Sequence, residues 1–260
     1  MAWDKIHQDM TLFLSEGFFK TAVIVILLVL IYLLKDRINT KVEASPIQPS
    51  QWDLLAAYKV YIPNHVLLFA INTWILHGLL PLHSYAQYPF LTGIVFGTVT
   101  CIPSVMILIL FFIIIKRPFN VQWASIGIDF KSFTNKALPV LLFIITLYII
   151  YVVIKWPNIT ARHLNVKFIL LPAVLLTSIA EELLIRLILL QAFIKKMNIY
   201  WAALITSICW SFSHCDVSWA AHIVIVFIGL FLAWTYFKSK TILVPMTIHA
   251  TTNVIKYLIY

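Results

Sequence analysis

Long apolar runs recur along this sequence, and the first of them, residues 18–34, contains a single charge, Lys20. A run of that length crosses a bilayer as a helix, because hydrocarbon offers the backbone no partner outside the segment itself. Further runs at about 64–80, 90–115, 137–155, 166–194, 198–214, 218–237 and 241–259 predict eight helices in all. The expected fold class is therefore all-α, a multi-pass transmembrane helical bundle. Composition agrees, since 62% of the 260 residues are hydrophobic and 11% charged, against about 25% charged in a soluble domain. Six glycines and no series of short alternating segments disfavour a β-barrel.

The run at 18–34 reads as a retained span. Asp4, Asp9 and Glu16 precede it, Lys35 and Arg37 follow it, and no small-residue cleavage site comes after it, unlike a secretory signal. Residues 35–63 form the longest polar connector and 116–136 a second, with Trp123 at the headgroup level. Lys35, Arg37, Lys41, Lys59, Lys116, Arg117, Lys131, Lys136, Lys195, Lys196, Lys238 and Lys240 fall on alternate connections. Those connections are expected to face the cytoplasm of a cell membrane, with both termini on the other side. The same placement accounts for the net charge of +9 without nucleic acid, because no basic patch with interleaved aromatics lies outside the spans. Cys101, Cys209 and Cys215 lie in or beside apolar runs and read as packing residues.

One span carries residues that are costly in hydrocarbon. In Thr177-Ser-Ile-Ala-Glu-Glu-Leu-Leu-Ile-Arg-Leu-Ile-Leu-Leu-Gln191 two carboxylates and a guanidinium interrupt an apolar helix, each at about 2.5–3.5 kcal/mol unless paired, hydrated or employed. At 100° per residue Glu182 and Arg186 share a face and pair, whereas Glu181 points about a quarter turn away. Glu181 is the carboxylate left for chemistry. Two later helices repeat the one-turn spacing: Trp210-Ser-Phe-Ser-His214 and His249-Ala-Thr-Thr-Asn253. Their depths overlap that of Glu181, so three helices can line one buried, water-accessible cavity.

Taken singly, each group has an ordinary explanation. A membrane histidine such as His77, His83 or His222 is most often an interfacial or hydrogen-bonded packing residue, and Glu182 with Arg186 is by itself a structural pair. His249 and Asn253 alone would be a polar contact between helices. The coincidence of all three motifs on successive helices is what favours a site.

In that order over the last 80 residues or so, the Glu-Glu-x-x-x-Arg, aromatic-x-x-x-His and His-x-x-x-Asn motifs resemble those of the CPBP family. That family groups type II CAAX prenyl proteases with bacteriocin-processing and immunity proteins, also called Abi proteins. The resemblance covers residues 170–260 and implies a division into N-terminal transmembrane helices and polar connectors (1–160) and a catalytic helical core (161–260). It implies an intramembrane, glutamate-dependent endopeptidase acting on a membrane-associated peptide or lipidated protein, with no cofactor. Residue by residue, Glu181 matches the catalytic glutamate, which with His214 would activate water. His249 and Asn253 match the groups that hold the oxyanion, and Glu182 and Arg186 the supporting pair. Trp210 departs from the family's usual phenylalanine, which bears on the shape of the substrate pocket.

Within the resemblance the alternative is a bacteriocin self-immunity or processing role, and two other classes compete. An ion-coupled transporter would also keep Glu, His and Arg in its spans, but duplicated halves are not evident, although Pro172 and Pro245 are each expected to break a span. A zinc enzyme would use Glu181, Glu182, His214 and His249, but the sequence has no His-Glu-x-x-His helix.

Overall fold

The computed structural model describes residues 52–74, 101–118, isolated positions between 138 and 150, 164–214 and 218–259. Six helices and no strand occur among the described residues. Helix α1 is Leu54–Trp74 and α2 is Cys101–Lys116, whose last turns, Phe111–Lys116, are π-helical. Helix α3 runs without a break from Leu164–Glu182 through a π-helical stretch, Leu183–Leu190, to Gln191–Ile194. Helices α4, α5 and α6 are Ile199–Phe212, Trp219–Ser239 and Leu243–Ile259. The expected span at 18–34 lies outside the described residues. At 137–155 only scattered helical positions are described.

The starts of the helices follow local chemistry. Asp53 Oδ1 accepts the Ala56 N–H at 2.8 Å, Asn198 Oδ1 that of Tyr200 at 2.8 Å, and Ser218 Oγ that of Ala221 at 3.3 Å. The Asp53 cap begins α1 ten residues before the expected start, so residues 54–63 are helix and not polar connector. Burying Ala57, Val60 and Tyr61 against the bundle outweighs the missing N–H of Pro63 inside that helix. Pro172 likewise lies within α3, and Pro245 falls in the first turn of α6, where no N–H is needed, so neither breaks a span. Lys240 closes α5 in the left-handed conformation, φ 58°, with its N–H on the Tyr236 carbonyl.

Helix α3 is central. All eight residues of its π-helical stretch are buried, with α1 and α4 packed on that half and α6 on the half before it. Helix α5 packs along α4 and touches α6. Gly229 makes the α4–α5 approach possible: a Cβ there would stand 2.8 Å from Cβ and Oγ of Ser207. Away from the bundle, α5 exposes Ile223, Val224, Phe227 and Trp234. It is 21 residues long, with an 18-residue window of mean hydropathy 2.0, and so is long and apolar enough to cross a bilayer.

The beginning of α1 and the turn after α3 meet at one end of the bundle. There Lys195 Nζ donates to the Trp52 carbonyl at 2.7 Å and the Trp52 indole donates to the Ile188 carbonyl at 3.1 Å. Partial burial lowers the pKa of Lys195, and neighbouring Asp53 works against that fall.

Candidate active site

Helix α3 supplies the carboxylates, and they are treated differently. Glu182 is 0% exposed and Glu181 25%. Glu182 Oε1 lies 3.1 Å from Arg186 Nη1 and 2.9 Å from His249 Nδ1, so one buried oxygen meets a guanidinium and an imidazole. Arg186 completes its surroundings through Nη2, which donates to the Gly229 carbonyl at 3.3 Å, and through the face of Trp210, whose ring centre is 4.6 Å from Cζ. Such a charge is tolerated in a dry interior only with these several partners.

Glu181 is not without a partner. Its Oε2 accepts the indole N–H of Trp210 at 2.7 Å and lies 3.8 Å from His249 Nε2. Trp210 is thus more than a pocket wall. It meets His249 and His214 edge-on, with ring centres 5.2 and 5.4 Å away.

Helix α6 presents His249 and Asn253 one turn apart on the same face. Donation from His249 Nδ1 to the Glu182 carboxylate leaves Nε2 as the acceptor for Asn253 Nδ2, at 2.9 Å. The other amide hydrogen of Asn253 goes to Ser178 Oγ at 3.0 Å, and Ser178 in turn donates to the Val174 carbonyl at 2.8 Å. Both hydrogens of the expected oxyanion donor are therefore engaged within the protein.

His214 stands apart from the others. Its Nδ1 donates to the Trp210 carbonyl at 3.0 Å just past the end of α4, and among the described residues no hydrogen bond joins it to Glu181. The structure brings Glu181, Glu182, Arg186, Trp210, His249 and Asn253 into one cluster and places His214 at its edge, across the indole. Among the described residues no group of three or more His, Cys, Asp or Glu side chains is arranged to hold a metal ion.

Ser178 escaped the sequence reading, although its place one turn before Glu182 was a usable signal. So did the buried chain Tyr61, Ser213 and His65: Tyr61 Oη donates to the Cys209 carbonyl at 3.0 Å, and Ser213 Oγ lies 3.3 Å from His65 Nδ1. His222 is a packing residue, bonded through Nδ1 to Ser211 and flanked by the rings of Phe212 and Trp219. Cys209 is a buried free thiol and Cys101 a partly buried one, while Cys215, His77 and His83 lie outside the described residues.

Beside the cluster runs an apolar groove of about 760 Å³, lined by α2, α3 and α6. Its walls include Phe111, Leu175, Ile179, Met246, Ala250 and Val254.

Residues 163–255, which contain every member of the cluster, match the family model described as type II CAAX prenyl endopeptidase, Rce1-like. No curated protein and no solved structure matches the chain.

Proposed function

We propose, from the type II CAAX endopeptidase domain at residues 163–255, that this chain is a multi-pass membrane endopeptidase in which Glu181 is the general base. Residues 161–260 would form the catalytic core and 1–160 the helices and connectors that embed it. The observation that carries the proposal is the division of labour between the two glutamates. Glu182 is consumed by Arg186 and His249, whereas Glu181, held by one oxygen, is a quarter exposed and reachable by water.

In the reaction that follows, Glu181 takes a proton from water as the hydroxyl oxygen adds to the carbonyl carbon of the scissile peptide. His214, at the rim, orients that water through its Nε2. One hydrogen of the Asn253 amide turns from its protein partner to the developing oxyanion, and His249, fixed by Glu182, keeps the amide in reach. Collapse of the tetrahedral intermediate breaks the C–N bond, and the departing amine recovers the proton from Glu181. The groove beside the cluster is of a size that takes a small ligand, and its apolar walls suit the hydrophobic part of a peptide or prenylated protein.

The test is cleavage by the purified full-length protein in detergent, with fluorogenic peptides ending in a CAAX sequence, prenylated or not, and with a leader-type peptide. Cleavage of any of them by the wild type and by no Glu181→Gln preparation is the expected result. Equal cleavage by both would overturn the assignment.

A further inference from the structure

Trp210 occupies a position at which the resembled motif ordinarily has phenylalanine, and the structure shows what the change adds. A phenyl ring could present a face to Arg186 and edges to His214 and His249, as this indole does. It could not donate a hydrogen bond. The Trp210 Nε1–H donates to Glu181 Oε2 at 2.7 Å, a short bond for a donor to a carboxylate, and the side chain is 4% exposed, so its ring is held on all sides.

We propose that Trp210 is a positioning residue for Glu181: by holding Oε2 it fixes the plane of the carboxylate and makes Oε1 the oxygen that takes the proton from water. Among the described residues Oε1 carries no hydrogen bond, while Oε2 accepts that of the indole. A carboxylate tethered at one oxygen keeps one rotational setting, and the reacting oxygen then meets the water without a search. The same ring bears Arg186 on its face, so a single side chain links the base to the buried ion pair of Glu182. This inference rests on the endopeptidase reading above for its catalytic half and on geometry alone for its contact.

Two measurements on the full-length protein in detergent separate those halves. The first is spectroscopic. With ¹⁵N-labelled tryptophan, the indole resonance lost in Trp210→Phe identifies this N–H, and it should move upfield in Glu181→Gln as a charged acceptor becomes a neutral one. An unmoved resonance would overturn the contact whether or not the protein cleaves anything. The second is kinetic. Replacing Trp210 by β-(3-benzothienyl)alanine keeps the bicycle and puts sulfur in place of the N–H. Turnover should fall roughly 10–100-fold with KM nearly unchanged, as misplacement of a catalytic group does. Trp210→Phe should lose about as much. Full turnover in the benzothienyl protein would overturn positioning and leave the ring a packing role. A wild type that cleaves no peptide, with the resonance shift present, would overturn the endopeptidase reading and the positioning role with it while leaving the contact intact.

Discussion

His249 meets both glutamates with different atoms: its Nδ1 lies 2.9 Å from Glu182 Oε1 and its Nε2 3.8 Å from Glu181 Oε2. One imidazole therefore stands between a fully buried carboxylate, to which it donates, and a partly exposed one that it only approaches. Near-isosteric changes at the two positions should differ in kind. Glu181→Gln still accepts the indole N–H and should melt within a few degrees of the wild type while losing cleavage altogether. Glu182→Gln leaves Arg186 charged and uncompensated in a dry interior, and its first symptom should be a stability loss of roughly 3–5 kcal/mol. Thermal unfolding and cleavage rate, measured on both variants, decide the matter. The assignment fails if the two are interchangeable.

Asn253 anchors a chain of hydrogen bonds and is also the candidate oxyanion donor. Asn253→Ala should reduce turnover by roughly 100–1,000-fold with a smaller change in KM. Ser178→Ala removes one partner but keeps both amide hydrogens, and should be the milder of the two. Undiminished turnover in a folded Asn253→Ala protein would move this residue to packing.

Gly229 lets α5 approach Ser207 on α4 while its carbonyl receives Arg186. Gly229→Ala should cost about 1–3 kcal/mol, the usual penalty for overpacking. Part of that cost should disappear when the change is made in a Ser207→Gly background, since both the Cβ and the Oγ in the way are then gone. An unchanged cost in the double variant would show that the helices yield elsewhere.

The basic residues predict that Lys238, at the end of α5, faces the cytoplasm and that Ser218, at its start, faces away. Both side chains are exposed. On a background lacking the three native cysteines, an impermeant thiol reagent applied to intact cells should label Ser218→Cys and spare Lys238→Cys. The reverse pattern inverts the orientation.

If Glu181 is the base, a strong chelator should change neither cleavage rate nor melting temperature of the wild type. Activity lost to the chelator and recovered with zinc would defeat the glutamate mechanism.

Much of this site was legible because one-turn spacing is a local property. Glu182 with Arg186 and His249 with Asn253 each pair on the faces that a 100° step predicts, and charges this costly in an apolar helix had to converge on something. What the spacing could not give was contact between helices. That the Trp210 N–H reaches Glu181 and that His249 turns its Nδ1 to Glu182 depend on how α3, α4 and α6 cross. His214 illustrates the same limit, since its motif put it on one face with Trp210 but could not say on which side of the indole it would lie. The widening of α3 after Glu182 was equally hidden, because a π-helical stretch uses the same apolar residues as an α-helix and differs only in which carbonyl each N–H chooses. Helix boundaries failed where a cap outranked a proline, as at Asp53 and Pro63.

Trp52 and helix α1 lie before residue 163, yet together they clasp the matched stretch at three points. The Trp52 indole reaches the Ile188 carbonyl, the Trp52 carbonyl receives Lys195, and the Tyr61 hydroxyl reaches the Cys209 carbonyl. A chain cut to the matched stretch would lose the indole on the Ile188 carbonyl, the carbonyl that receives Lys195 and the hydroxyl on the Cys209 carbonyl, all on or next to the helices that hold Glu181 and Trp210. The border of the family-model match and the border of the packed bundle differ here, because contacts that close on α3, the turn after it and α4 come from residues 52–61.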